Sequence, residues 1–296
     1  MRYPGSSKLS RPPIGAVWGW VQVVAGRTAN DALLPGGALV LSPHQDDETI
    51  GCGLLIAEKA NRGIPIAVAV ATDGRSGWYS PTPPPPPNAI AEIRRLEWHR
   101  ALDVLGVPRT DRFELNFPDG DLKDYEDELA DRLRELLGSL RPSQVFVTRS
   151  GDPHPDHRAL ARAVGRAVDE IHDSDPDGPP PGTADGSRFG SVRTRPQVFT
   201  YRVYPGEGLW PDGRPSRTTL GTTAVRFARS TFGLTKRRAL LLRAPRFAGT
   251  KIAAIDAYDS QSRLLKGELH YVWGTGVELY WPMAGDGSRD PSGLST

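Results

Sequence analysis

One cysteine, Cys52, occurs in 296 residues. The chain can therefore form no internal disulfide and no thiolate-ligated structural zinc site. No apolar run approaches the roughly 18–20 residues that span a bilayer. An excess of one charge is missing too: 37 basic and 35 acidic residues leave a net charge of +2. A dedicated nucleic-acid binder would carry a basic excess, so nucleic acid is not expected as a partner. Lysine is scarce, at 6 of the 37 basic residues, which reads as coding bias. The apolar stretch Ile14–Ala25 follows Arg2, Lys8 and Arg11, but Trp18, Trp20 and Gln22 interrupt it. It makes a poor signal peptide, and a cytoplasmic location is expected.

Glycine (32) and proline (28) are abundant, yet much of the proline is local, near 81–87 and 176–181. Ordered loops and insertions are expected rather than disorder of the whole chain. The sequence divides into an N-terminal arm (1–37), one domain (38–284) with a mobile insertion at about 173–195, and a disordered tail (285–296).

Within the domain, Ala38–Ser42 is a short continuous apolar run, the pattern of a buried parallel strand. Thr49–Arg62 has helical spacing and stops at Gly63. Ile64–Thr72 reads as a second strand and Ala89–Leu105 as an amphipathic helix. Strands at Arg112–Phe117, Gln144–Thr148 and Gln197–Val203 alternate with helices at Tyr125–Leu140 and Pro155–Ile171. A helix at Gly249–Gln261 and a short strand at Glu268–Tyr271 follow. The fold class is α/β: a Rossmann-like, mostly parallel sheet with helices on both faces, and a C-terminal extension with extra strands and a helix.

Three of the six histidines sit in two compact motifs. Pro43-His44-Gln45-Asp46-Asp47-Glu48 lies where the first strand gives way to the first helix. Asp152-Pro153-His154-Pro155-Asp156-His157 lies at a later strand-to-helix junction. In an open parallel sheet, the carboxyl ends of the strands face one crevice, so segments 100 residues apart can converge. Imidazoles and carboxylates without thiolate suit zinc or a related divalent ion, iron and cobalt included. Three protein ligands with an open position, a further carboxylate and a further imidazole make a hydrolytic set.

On these motifs the chain resembles the PIG-L/LmbE-like zinc-dependent N-deacetylases. The similarity extends to Thr72-Asp73-Gly74, Arg94-Arg95-Leu96-Glu97, Leu105-Gly106-Val107, Phe117–Leu122 and Tyr258-Asp259-Ser260-Gln261. The resemblance implies one zinc per chain on His44, Asp47 and His157. Asp46 would be the general base, His154 the oxyanion stabiliser or acid, and Asp156 the residue orienting His154. Asp73, Arg94 and Asp152 are candidate substrate contacts. The implied reaction is hydrolysis of the acetamide of an N-acetylglucosamine-type small-molecule conjugate. Two positions depart from the family pattern. Gln45 replaces a proline, and Asp152 stands where some relatives carry a tyrosine.

Simpler readings compete at several positions. Asp46-Asp47-Glu48 could cap a helix, and Glu48 alone is best explained by packing or capping. His99, His172 and His270 read as surface or core histidines, and Cys52 as an inert buried thiol. Gly51-Cys52-Gly53 lacks the rest of a dinucleotide fingerprint. Arg94 and Glu97, three apart, could be a surface ion pair. Thr222–Ile255 holds no acidic residue but carries Arg226, Arg229, Lys236, Arg237, Arg238, Arg243, Arg246 and Lys251. That is a solvated basic face or an attractor for an anionic substrate. The competing functions are another metal hydrolase, such as a phosphoesterase, and a non-catalytic sugar-conjugate binder. Two-metal phosphatases need more bridging ligands than these motifs offer. A binder needs neither Asp46 nor His154. The composition leaves homo-oligomerisation open.

Overall fold

The computed structural model describes residues 27–174, 188–189, 195–203, 239–265 and 276–283. The arm before residue 27, most of the 173–195 insertion, the basic residues 226–238, the expected strand at 268–271, His270 and the tail lie outside the described residues. So does the side chain of His172.

Among the described residues, eight strands form one sheet: β1 (Arg27–Thr28), β2 (Ala38–Ser42), β3 (Ile66–Thr72), β4 (Arg112–Phe117), β5 (Gln144–Thr148), β6 (Gln197–Tyr201), β7 (Leu240–Arg243) and β8 (Val277–Pro282). Their order is β1-β7-β8-β6-β5-β2-β3-β4. The run β6-β5-β2-β3-β4 is parallel throughout, and β8 is antiparallel to both of its neighbours. The helices are α1 (Asn30–Leu33), α2 (Asp47–Asn61), α3 (Pro87–Leu105), α4 (Glu126–Leu140), α5 (Pro155–Ser174), α6 (Ala248–Ile255) and α7 (Ser262–Leu265).

Strands β2, β3 and β5 are buried at every position and mostly apolar, because both faces are covered. Val40, Val68 and Val70 pack with Leu54 and Leu55 of α2, Trp98 and Leu102 of α3, and Ile255 of α6. Their neighbours Leu39, Leu41 and Ala69 point the other way, onto Leu129 and Leu133 of α4 and Leu160 and Val164 of α5. The period of two along each strand divides the core between the two helical layers. Helix α3 ends at Gly106, whose φ of 82° is the left-handed conformation that a side chain would oppose.

Three sequence expectations change. The helix expected through Gln261 ends at Ile255, and a 3₁₀ turn covers Asp259–Gln261. The chain turns there so that the phenol of Tyr258, buried in the core, can reach Glu48. Residues 27–34, read as arm, supply β1 and α1, elements too short to leave a periodic signal. Within the stretch expected to be mobile, Phe189 is buried and its carbonyl accepts a hydrogen bond from Ser143 Oγ. A lone aromatic in a polar segment has no pattern to reveal it. Strands β7 and β8 give no individual signal in the sequence.

Strand β2 hydrogen-bonds to β3 on one side and to β5 on the other. The helix α2 leaves toward one side of the sheet core and α5 toward the other, so the β2/β5 boundary is the topological switch point. Crevices open at that position in doubly wound sheets. The two histidine motifs follow β2 and β5.

Candidate metal centre and active site

The turn from β2 into α2 carries His44 to Asp47. Asp47 is the first residue of α2, and its Oδ2 accepts the backbone N–H of His44 at 3.1 Å. The same oxygen lies 3.1 Å from His44 Nδ1 and 3.3 Å from His157 Nε2. Two ligands bound tetrahedrally at zinc–donor distances of about 2.0–2.1 Å stand about 3.3 Å apart. The separations of Asp47 from both imidazoles match that edge.

Capping does not explain the turn, because Asp46 precedes α2 without making a side-chain cap. Its backbone is unusual, at φ 142° and ψ −30°. A non-glycine residue there stores roughly 1–3 kcal/mol of strain and needs firm support on both sides. The support is present. The guanidinium of Arg94 donates to Gln45 O at 2.7 Å, and Asp46 N–H donates to Glu48 Oε2 at 3.3 Å. Glu48 is buried and also accepts from Tyr258 OH and Thr49 Oγ1, each at 2.7 Å, and from Ser42 Oγ at 3.2 Å. It is a scaffold residue, as its packing reading anticipated.

The second motif enters from β5 into α5. His154 and His157 rings lie 4.7 and 5.4 Å from the His44 ring, centroid to centroid. All three imidazoles offer nitrogens within 4.8 Å of one another. Asp152, expected as a substrate contact, is buried. It sits 3.2 Å from His157 Nδ1 and accepts the backbone N–H of His154 at 2.9 Å. That is the carboxylate–imidazole pairing that fixes the tautomer of a ligating histidine.

Asp156 corrects another expectation. Its carboxylate does not orient His154. It is pinned by the backbone N–H groups of Gly120 (2.8 Å) and Leu122 (3.2 Å) and faces His44 Nε2 at 3.1 Å. Only its backbone N–H reaches His154, at Nδ1 and 3.2 Å. Nδ1 is then an acceptor, which leaves the ring proton of a neutral His154 on Nε2.

Arg94 and Glu97 are both 3% exposed, so they are not a surface pair. Arg94 also stands 3.5 Å from Asp46 Oδ1. Glu97 accepts from Ser260 N–H (2.8 Å) and Ser260 Oγ (2.5 Å), and Gln261 Nε2 donates to Gly77 O at 2.9 Å. The Arg94-x-x-Glu97 and Tyr258–Gln261 segments thus interlock behind the catalytic turn. Asp73 makes its side-chain bonds to Arg75, at 3.1 Å to N and 2.6 Å to Nε. His99 is part-buried and pairs with Glu114 at 2.9 Å, which fits its reading as a surface or core histidine.

Asp119 and Tyr79 join the site without being singled out by the two histidine motifs. Asp119 Oδ1 lies 3.2 Å from His44 Nε2, and its Oδ2 accepts Ser76 N–H at 3.0 Å. Its place in the Pro118-Asp119-Gly120 turn after a strand was the available signal. Tyr79 is half-buried. Burial raises its phenol pKa, with Arg94 opposing and Asp46, His44 and Asp119 also in electrostatic range.

The electrostatics describe a place built for positive charge. Burial opposes protonation of His44, but Asp119, Asp156 and Asp47 outweigh it and lift its pKa well above the usual value. Burial likewise opposes charge on His157, yet Asp47 and Asp152 bring it up to about 9. Asp47 is held well below the carboxylate range, burial notwithstanding, by His157 and His44. A divalent cation can take the place of the protons that these carboxylates draw onto the two imidazoles. Burial pushes Asp46 up to about 8 against the pull of Arg94. Burial and the charges on His44 and His157 push His154 down to about 4. The residues present therefore fit a metal of the zinc type.

An open α/β domain with a His/carboxylate cluster at its switch point is the class defined by this geometry. Residues 39–168 match the family model PIG-L, described as GlcNAc-PI de-N-acetylase. The chain is 32% identical over 129 residues to the uncharacterized deacetylase YaiS of Escherichia coli, covering 42% of this chain and 63% of that one. It is 33% identical over 129 residues to a probable N-acetyl-alpha-D-glucosaminyl L-malate deacetylase 2 of Bacillus cereus, covering 42% and 57%. The match thus spans somewhat over half the length of these relatives. The fold is shared with the N,N'-diacetylchitobiose deacetylase of Pyrococcus horikoshii, at a TM-score of 0.59 and 18% identity over 95% of this chain and 96% of that one. Among the described residues no helix is long and apolar enough to cross a membrane.

Proposed function

We propose that the chain is a metal-dependent N-deacetylase acting on an N-acetylglucosamine-type conjugate. The observation that carries this reading is the approach of Asp47 Oδ2 to both His44 Nδ1 and His157 Nε2, at 3.1 and 3.3 Å, with Asp46 and His154 beside them and outside the ligand set. The deacetylase relatives support the substrate class.

His44, Asp47 and His157 would hold the cation, and Asp152 would orient His157. When bound, the cation supplies Lewis acidity, lowering the pKa of a water in the site to about 7. Asp46 removes a proton from the attacking water as the new C–O bond forms at the acyl carbon. His154, neutral, directs its Nε2–H at the developing oxyanion. Asp46 then delivers the proton to the leaving nitrogen as the C–N bond breaks, giving acetate and a free amine. Arg94 is assigned to holding Asp46 and the Gln45 peptide rather than to gripping the sugar. Asp119 and Tyr79 join the pocket wall, and Asp73 keeps a place at its rim.

The test is acetate release from a small panel of N-acetylglucosamine conjugates. Wild-type protein should release acetate, and dipicolinate should stop it. His154→Ala should lower kcat by about 10²–10³, as loss of one oxyanion donor does, while zinc content stays at one per chain. Wild-type kinetics in that variant would remove His154 from the mechanism. No acetate from any conjugate would move the search to other N-acyl compounds.

A further inference from the structure

The glycines of Gly51-Cys52-Gly53 take no part in the chemistry above, yet they mark a place where side chains enter the hydrogen-bond ladder of α2. In an uninterrupted helix, Leu54 N–H would bond Ile50 O, and Leu55 N–H would bond Gly51 O. Here all four groups have side-chain partners from the C-terminal part of the fold. Glu278 of β8 accepts from Leu54 N–H at 2.8 Å through Oε1 and from Leu55 N–H at 3.0 Å through Oε2. Lys251 of α6 donates to Ile50 O at 2.6 Å. Tyr280 OH donates to Gly51 O at 3.4 Å. The three side chains are joined to one another, with Glu278 2.7 Å from Lys251 Nζ and 2.7 Å from Tyr280 OH.

The glycines leave room for the neighbouring side chains. A Cβ at Gly51 would stand 2.1 Å from the Tyr201 ring, and one at Gly53 would stand 3.0 Å from Lys251 Cγ. The group is buried: Lys251 is 2% and Glu278 5% exposed. Insertion of side chains into the ladder is a cause of helix bending. The insertion sits one turn from the functional residues, because Ile50, whose carbonyl Lys251 holds, donates its own N–H to Asp46 O at 2.9 Å. Lys251, Glu278 and Tyr280 also lie outside the residues matched by the family model.

We propose that Lys251, Glu278 and Tyr280 are positioning residues. They clasp α2 at its second turn and set the direction of the first turn, which presents Asp46 and Asp47. The inference rests on the metal-centre reading above, but its test needs no substrate. The metal-free protein is titrated with Zn²⁺ against a chromophoric chelator, and melting is followed in parallel. The double variant Lys251→Met/Glu278→Met removes both charges together, so no lone buried charge is left, but Leu54 N–H, Leu55 N–H and Ile50 O lose their side-chain partners. It should fold with a lowered melting temperature and bind zinc at least about tenfold more weakly, the scale of a lost outer-shell support.

Glu278→Gln keeps the shape but leaves one helix amide facing an NH₂ group. It should weaken zinc binding severalfold, and where acetate release is measurable, kcat should fall with KM little changed. A folded variant of either kind that binds zinc within twofold of wild type would overturn the proposal. So would failure of Glu278→Gln to fold, which would make the clasp a requirement of the fold alone. Wild-type protein that binds zinc but releases no acetate contradicts the substrate reading and leaves the clasp standing.

Discussion

Asp46→Asn should abolish turnover, by about 10²–10⁴-fold from loss of the general base, while one metal per chain is retained. Asparagine is the informative replacement. It is isosteric and keeps an oxygen facing Arg94, so the strained backbone at φ 142° carries a side chain of the same shape. Alanine at this position would confound lost basicity with a relaxed turn. The ligand set His44, Asp47 and His157 is untouched by the change. Metal analysis of the purified variant, beside its acetate-release rate, separates the two roles. Loss of metal would place Asp46 among the ligands, and substantial residual turnover would give the proton transfer to another group.

His157→Ala should show the opposite pattern: loss of the metal first, and of activity as a consequence. His157 is fully buried with Asp47 at Nε2 and Asp152 at Nδ1. Its removal takes away a ligand and leaves two buried carboxylates facing a void, so affinity should fall by more than the ten- to hundredfold typical of outer-shell losses. The metal-free wild type carries a further signature. Its raised His157 pKa contributes stability that is fully present below 6.5 and is lost as the pH rises through about 9. Metal-free His157→Ala should lack that fall in stability between pH 6.5 and 9. Unchanged zinc content in the variant would break the assigned ligand set.

Much of the site was legible because its residues are local in sequence. His44, Asp46 and Asp47 share one strand-to-helix turn, and His154, Asp156 and His157 share another. The apolar runs at Ala38–Ser42 and Gln144–Thr148 are sufficient to put both turns on one edge of a parallel sheet. What was not legible depends on partners distant in the chain. Asp156 could not be assigned to the Gly120 and Leu122 amides, 36 and 34 residues away, nor to the back of the His44 ring. Asp152 reads as an acidic neighbour until its position on His157 is seen. Glu48 gives no hint of Tyr258, 210 residues on. Strands β7 and β8 escaped because four or six residues without alternation carry little periodic signal, and the strongly basic surroundings of β7 suggested a surface.

The metal position is the central claim, and among the described residues the structure offers two alternatives to it: the imidazoles of His44, His154 and His157, and His44 with Asp119 and Asp156, also converge closely enough to hold an ion. Anomalous diffraction at the zinc edge from crystals of the zinc-loaded protein distinguishes them directly. The account expects a single peak about 2.0–2.2 Å from His44 Nδ1, an Asp47 carboxylate oxygen and His157 Nε2, with Asp46 and His154 near but unbound. A peak on the opposite side of the His44 ring, ligated by Nε2, Asp119 and Asp156, would contradict it and displace Asp46 from the proton transfer.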